Sequence, residues 1–356
     1  MKSLGNFPDP FIAEISGQPE AIRRAADGLA DQRPALERAA AVGRGGTIVF
    51  TGMGSSYDAC YPAVTALASA GVPALHVDAS ELLHFRRNLL PGAGVLVTVS
   101  QSGESAEVVR LIEGLAVDDR APLVLAITNG TDNTLARAAD VALDTRVGQE
   151  VGPSTMTFAA ALVALAAVGR VLRGDPAADA IDEVRRGAGS AATSLERQLG
   201  RSGLADEITR WLGGRSSSVI LGRGPARAAA EMGALTLKEA VGMPIESLQT
   251  AQFRHGPLEL AGPDLAAIVI ATEPETRDLD VGLTAELVAL GGSVLVVVEG
   301  GDTPERVMRI EIGAQDRMLA PAVSILPAQL LAWKLAVDRG RPPGSYVRAS
   351  KVTTHE

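Results

Sequence analysis

The sequence predicts an α/β protein of two tandem domains, each a doubly wound parallel sheet. Three observations carry this. Short apolar runs end in glycine- and hydroxyl-rich turns and lead into alanine- and leucine-rich helical stretches, the alternation that builds a parallel sheet covered on both faces. The same order of elements occurs twice, the second copy about 170 residues after the first. The chain has 356 residues, 46% of them hydrophobic, which is enough to fill two cores. Aromatics make up only 3%, so those cores must be built from Ala, Val and Leu.

Residues 1–45 read as leading helices. Apolar and charged positions alternate at helical spacing through 11–42, and Gly43 and Gly45 end the run. The first domain, 46–173, opens with a buried strand at 47–51 (TIVFT), a turn through Gly52, Met53, Gly54, Ser55 and Ser56, and an alanine-rich helix at 57–70. A strand at 74–78 and a short helix at 80–88 follow. The strand 95–99 (VLVTV) runs into Ser100, Gln101, Ser102, Gly103, Glu104 and Ser105, and a helix continues to about residue 115. Strands at 123–128 and 141–145 complete the sheet, and an apolar helix at 157–170 closes the domain.

A polar helical connector, 174–216, leads to the second domain, 217–340. There Leu221, Gly222, Arg223 and Gly224 answer Thr51, Gly52, Met53 and Gly54. Residues 267–271 answer 95–99, 294–301 answer 123–130, and the helix 325–339 answers 157–170. The tail, 341–356, contains no obvious element.

Composition excludes several classes of function. The formal net charge is -9 and no Lys/Arg block appears, so neither a nucleic-acid surface nor a membrane surface is expected. The start, MKSLGNFPDP, lacks the apolar core of a signal peptide. The longest apolar run, 158–168, is far short of the roughly 20 residues that span a bilayer. The single cysteine, Cys60, excludes an internal disulfide and fits a reducing compartment. The expectation is a soluble cytoplasmic protein. The four histidines lack ligand spacing and no full dinucleotide fingerprint occurs, so neither a metal nor a cofactor is expected.

Two stretches carry chemistry. In the first copy, GMGSSY and SQSGES each follow a strand and open a helix, where backbone amides and serine hydroxyls can hold a phosphate without arginine. In the second copy the place of SQSGES reads ATEPET, whose Glu273 and Glu275 would repel a phosphate. The other stretch is GALTLKEAVGMPIESLQTAQFRHGPLEL from Gly233. A helical run, 231–241, carries Met232, Leu235 and Leu237 on its buried side and Lys238 and Glu239 at its end, and cannot continue past Gly242 and Pro244. Glu239 before this break and His255 after it form a candidate acid/base arrangement. Of the other histidines, His76 and His84 read as structural and His355 as solvated.

These motifs resemble the tandem SIS (sugar isomerase) domain family, in particular the isomerase half of glucosamine-6-phosphate synthase and the stand-alone amino-sugar-phosphate deaminases and deglycases. The likeness covers nearly the whole chain: EISGQP at Glu14, GMGSSY, DASE at Asp78, SQSGES, LGRG at Leu221, LKE at Leu237, RHGPL at Arg254 and the final SKVTTHE. It implies a flavodoxin-like sheet in each domain and a tail that closes the site. It implies phosphate binding by Ser55, Ser56, Ser100, Gln101, Ser102 and Ser105, with Gly54, Glu81 and Thr236 as further substrate-contact candidates. Glu239 becomes the base between C1 and C2 of an open-chain sugar, and His255 the residue that opens the ring, supplied by the neighbouring subunit of a homodimer. Lys351 becomes the tail lysine that engages the sugar carbonyl. No glutamine-hydrolysing domain precedes the tandem and Cys60 is internal, so a complete synthase is not expected.

The chain departs from the synthase pattern at three places. Thr236 stands for the first lysine of KLKE, Met156 for a lysine after Ser154 and Thr155, and Gln252 for a glutamate. The reading is therefore an enzyme acting on an amino-sugar phosphate, glucosamine-6-phosphate deaminase-like. A fructosamine-6-phosphate deglycase, a simple phosphosugar isomerase and a non-catalytic sugar-phosphate sensor remain as alternatives.

Overall fold

The computed structural model describes residues 9–42, 46–115, 121–348 and 350–355. The expected helix end at Gly43 and Gly45 and the final Glu356 lie outside the described residues. The chain divides into two compact units. One contains residues 20–150, 156–189 and the tail from Arg348; the other contains residues up to Pro19, 151–155 and 190–347.

The first unit holds β1 (Thr47–Thr51), β2 (Ala74–His76), β3 (Ala93–Val99), β4 (Leu123–Thr128) and β5 (Val141–Asp144). They form one parallel sheet in the order β2-β1-β3-β4-β5. The strand order reverses between β1 and β3, so the loops after these two parallel strands flank the crevice where open α/β sheets bind ligands. Val49 of β1 sits beside Leu75 and Leu96, and on this face Val49, Leu96 and Ala126 pack with Val108 and Leu111 of the helix Ala106–Leu115. Each such leucine or valine contributes about 1.5–3 kcal/mol by leaving water.

The second unit repeats the plan with β6 (Ser217–Gly222), β7 (Glu246–Gln249), β8 (Leu265–Ala271), β9 (Ser293–Val298) and β10 (Met308–Glu311), ordered β10-β9-β8-β6-β7 and parallel throughout. This is the first sheet's order again, with β6 in the place of β1 and β8 in the place of β3. The two doubly wound sheets that the repeat predicts are both present. Here Gln18 of the leading helix Pro10–Gly28 meets Gln329 of the helix Leu326–Asp338, amide to amide at 2.8 Å, both fully buried.

Several elements differ from the sequence reading. The helix expected at 57–70 is two, Ser55–Asp58 and Tyr61–Ser69, because Pro62 has no amide to give an earlier carbonyl and starts a new helix. The strand expected at 74–78 stops at His76, since Asp78 accepts the Glu81 amide at 2.9 Å and caps the helix Ala79–His84. Leu235 is half-buried, whereas Met232 and Leu237 are buried. The edge strands β7 and β10 were missed, because Glu246, Gln249, Arg309 and Glu311 break up their apolar pattern. The apolar run at 158–168 belongs to an 18-residue helix, Met156–Arg173, and this helix and Ala320–Asp338 are long and apolar enough to cross a membrane. Both are largely buried within the protein, as core helices are.

Candidate active site

At the carboxyl ends of β1, β3 and β4 the first unit has a tight concavity of about 10 Å³ lined by Ser55, Ser56, Gln101, Thr128, Asn129, Thr145 and Thr157 among others. Three of the six expected phosphate ligands, Ser55, Ser56 and Gln101, line it. Ser100 is buried, its hydroxyl 3.0 Å from that of Ser105 and accepting the Gly103 amide at 3.2 Å. Ser102 accepts the Glu104 amide at 3.2 Å. These three serines shape the SQSGES turn from within. Gly103 is required there: its φ is 66°, and a Cβ would lie 1.9 Å from Asn133 Oδ1. Gly54 also has positive φ at the start of the helix Ser55–Asp58. Glu81 pairs with Arg86 at 3.4 Å. His76 stacks on Tyr57 with ring centroids 3.8 Å apart. Burial pushes the Cys60 thiol up, so it is no thiolate nucleophile.

Thr128, Asn129, Thr145 and Thr157 were not foreseen, because single polar residues after strands look like ordinary turn residues. Asn129 stitches the floor together: Oδ1 accepts the amides of Val147 and Gly148 at 2.9 and 3.2 Å, and Nδ2 donates to Gly148 O.

Glu104 fixes the loop to the next helix, accepting the Thr134 amide at 2.8 Å and its hydroxyl at 2.9 Å. These hydrogen bonds hold the Glu104 carboxyl below its ordinary value. A depressed folded value makes this stabilisation full above the ordinary carboxylate range and lost as pH falls through the folded value. The stability gap between wild type and Glu104→Gln, followed by thermal denaturation, is therefore expected to close as the solution is acidified. A gap independent of pH contradicts this account of the loop.

Lys351 is placed by the same unit. Its ammonium lies 2.8 Å from Glu150 Oε2, with the lysine side chain 20% exposed and the glutamate fully buried. Glu150 also accepts the amide of Thr157 at 3.1 Å and the Thr157 hydroxyl, at the start of the helix Met156–Arg173. One buried carboxylate thus links the tail lysine to a residue that lines the serine concavity. The tail is held again where Thr353 O accepts the Ala106 amide at 3.2 Å. Nothing in the sequence pairs Glu150 with Lys351, since 201 positions separate them.

In the second unit Glu239 is half-buried in the last turn of the helix Arg227–Val241. Gly242, with φ of 63°, ends that helix by returning its amide to Lys238 O at 2.9 Å. His255 is exposed in the turn after the one-turn helix Thr250–Phe253, its backbone fixed to Gln252 O at 3.0 Å. Neighbouring Arg254 is tied to Glu286. Thr236 is fully buried, and its hydroxyl donates to Met232 O at 2.8 Å within its own helix. Met156 is half-buried and Gln252 exposed.

The profile described as SIS domain matches residues 44–169 and 214–339. The chain belongs to the SIS-domain family. It is 30% identical over its whole length to the glutamine–fructose-6-phosphate aminotransferase of Pyrobaculum aerophilum and spans 59% of that protein. The C-terminal domain of the glucosamine-fructose-6-phosphate aminotransferase of Francisella tularensis superimposes with a TM-score of 0.80 at 25% identity, covering 95% of this chain and 98% of that one. The glucosamine-6-phosphate deaminase of Thermotoga maritima shares the fold, with a TM-score of 0.73 at 21% identity over 97% and 99% of the two chains.

The two SIS copies differ at corresponding strand ends. Where the first has the serine turn after β3, the second has Glu273 and Glu275 after β8, and Arg317 forks onto both, at 2.8 Å from each. Burial holds the Glu273 carboxyl above its ordinary value, with Arg317 opposing. The expected repulsion of a phosphate is thus modified: an internal guanidinium already occupies the carboxylates. Arg223, in the turn after β6, pairs likewise with fully buried Asp280 at 2.7 Å. After β6 and β8 the second SIS copy thus carries ion pairs where the first, after β1 and β3, carries hydroxyls and amides.

Proposed function

We propose that this chain is a phosphosugar enzyme of the glucosamine-6-phosphate deaminase type, moving a proton between C1 and C2 of an open-chain amino-sugar phosphate, after which water hydrolyses the resulting C2 imine and ammonia is released. The observation that carries the reading is the serine-lined concavity tied through Thr157 and Glu150 to Lys351. The concavity has room for about one water, so a phosphate would sit at its mouth against the loop hydroxyls and amides. The reading gives Glu239 the proton transfer, His255 ring opening or protonation of the leaving amine, and Lys351 the sugar carbonyl. Paired with Glu150, Lys351 acts as a cation that polarises this carbonyl.

Thr236 and Met156 bring no charge to the site. The Thr236 hydroxyl is engaged by its own helix, so any influence on substrate choice is exerted through the absent cation and through packing. Retention of Glu239, His255 and Lys351 together supports catalysis over ligand sensing.

Incubation with glucosamine 6-phosphate, with ammonia and fructose 6-phosphate measured, tests the proposal. No product at high enzyme concentration rejects the deaminase reading, and interconversion of hexose phosphates without ammonia favours a simple isomerase. A rise in melting temperature without turnover favours the sensor. In an active enzyme, Ser102→Ala is expected to raise the apparent KM several-fold, by roughly the 0.5–1.5 kcal/mol of one hydrogen bond, with kcat little changed.

A further inference from the structure

A cavity of about 340 Å³ opens in the second unit between the end of the helix Ala177–Leu199 and the edge strand β10, lined by Arg197, Gln198, Arg201, Arg309 and Glu311. It lies at the opposite edge of the sheet from β7, against which the Glu239 helix packs. Gln198 is 2% exposed, yet neither the nitrogen nor the oxygen of its amide has a hydrogen-bond partner. A buried amide left unpaired at both ends costs free energy that an apolar residue of the same shape would not, so its presence here calls for a partner.

Three arginines line the cavity with Gln198. Arg197 donates to Ser194 Oγ at 3.3 Å and has no carboxylate partner among the described residues. Arg201 pairs with Glu207 at 3.2 Å, and Arg309 pairs with Glu311 at 2.6 Å while donating to Gly301 O at 3.2 Å. Cations therefore outnumber carboxylates around this cavity, in a chain whose net charge is -9. Guanidinium forks match the oxygens of phosphate and carboxylate groups, and an amide that both donates and accepts suits a hydroxyl beside them. The volume is that of a small-metabolite site.

We propose that this cavity is a second anion site, for a small metabolite carrying a phosphate or carboxylate group next to a hydroxyl, and that its occupancy stabilises the second SIS copy. The proposal is independent of the activity assigned above. It is tested on the full chain at low ionic strength by thermal shift and calorimetric titration, with inorganic pyrophosphate and citrate as separate probes. At least one probe is expected to raise the melting temperature, and that one identifies whether phosphate or carboxylate is preferred. The shift should persist in the double variant Ser55→Ala, Ser102→Ala, which weakens the serine turns, and the Kd should rise tenfold or more in Arg197→Ala and in Arg309→Ala. Gln198→Met supplies a control on folding: without probe its melting temperature should equal or exceed wild type, while its response to the probe falls. Absence of a shift with both probes overturns the proposal. So does a shift that survives the arginine substitutions, or one that disappears in the serine variant alone.

Discussion

Glu239→Gln is expected to lower turnover by roughly 10²–10⁴-fold, the usual contribution of a general base, while sugar-phosphate affinity changes little. The amide is nearly isosteric and leaves the helix Arg227–Val241 and its glycine cap intact, but it cannot accept a carbon-bound proton and return it. The serine turns that would hold the phosphate lie in the other SIS copy, on different secondary structure. Binding and chemistry should therefore separate in this variant. Single-turnover kinetics with a parallel titration of a non-reacting sugar phosphate checks this. Equal loss of binding and turnover would make Glu239 a structural residue.

Glu150→Gln has the largest expected effect on stability. The carboxylate is fully buried and serves three donors at once: the Lys351 ammonium, the Thr157 amide and the Thr157 hydroxyl. The amide removes the charge and turns a donor toward groups that themselves donate. Breaking a buried pair by neutralising one partner costs about 3–5 kcal/mol, because the other charge is left uncompensated. Turnover should fall as well, since Lys351 loses the contact that places it. Lys351→Met added to Glu150→Gln is expected to recover part of the stability, because the stranded cation is gone, but none of the activity. Denaturant unfolding of the two single variants and the double variant measures the coupling. Additive losses would show that the ion pair does not organise the tail.

The two-copy architecture was legible because it depends on periodic patterns. Apolar strand runs, the glycine turns after them and the repeat at about 170 residues are local signals that survive in one sequence. The elements that escaped notice are those whose pattern is weakest. β7 and β10 are edge strands, and the break between the helices Ser55–Asp58 and Tyr61–Ser69 depends on one proline.

The candidate site was legible to a lesser degree. GMGSSY and SQSGES announce themselves by composition, yet the sequence does not show that Ser100 and Ser105 face each other while Ser55, Ser56 and Gln101 line the concavity. Glu150, Arg317 and Gln198 could not be singled out at all. Each acquires its meaning from a partner, or from the lack of one, that only folding reveals. Thr236 shows the converse: its helical spacing puts it on the Glu239 side of the helix, but the fold buries it and satisfies its hydroxyl locally.

The central claim is proton transfer between adjacent sugar carbons by Glu239, and solvent isotope exchange reads that step whatever the leaving group. In deuterium oxide, glucosamine 6-phosphate and fructose 6-phosphate should each acquire deuterium at the carbon next to the carbonyl in the presence of the wild-type chain, followed by proton NMR, with exchange lost in Glu239→Gln. Absence of exchange into either compound while both bind, or exchange undiminished in Glu239→Gln, would contradict it.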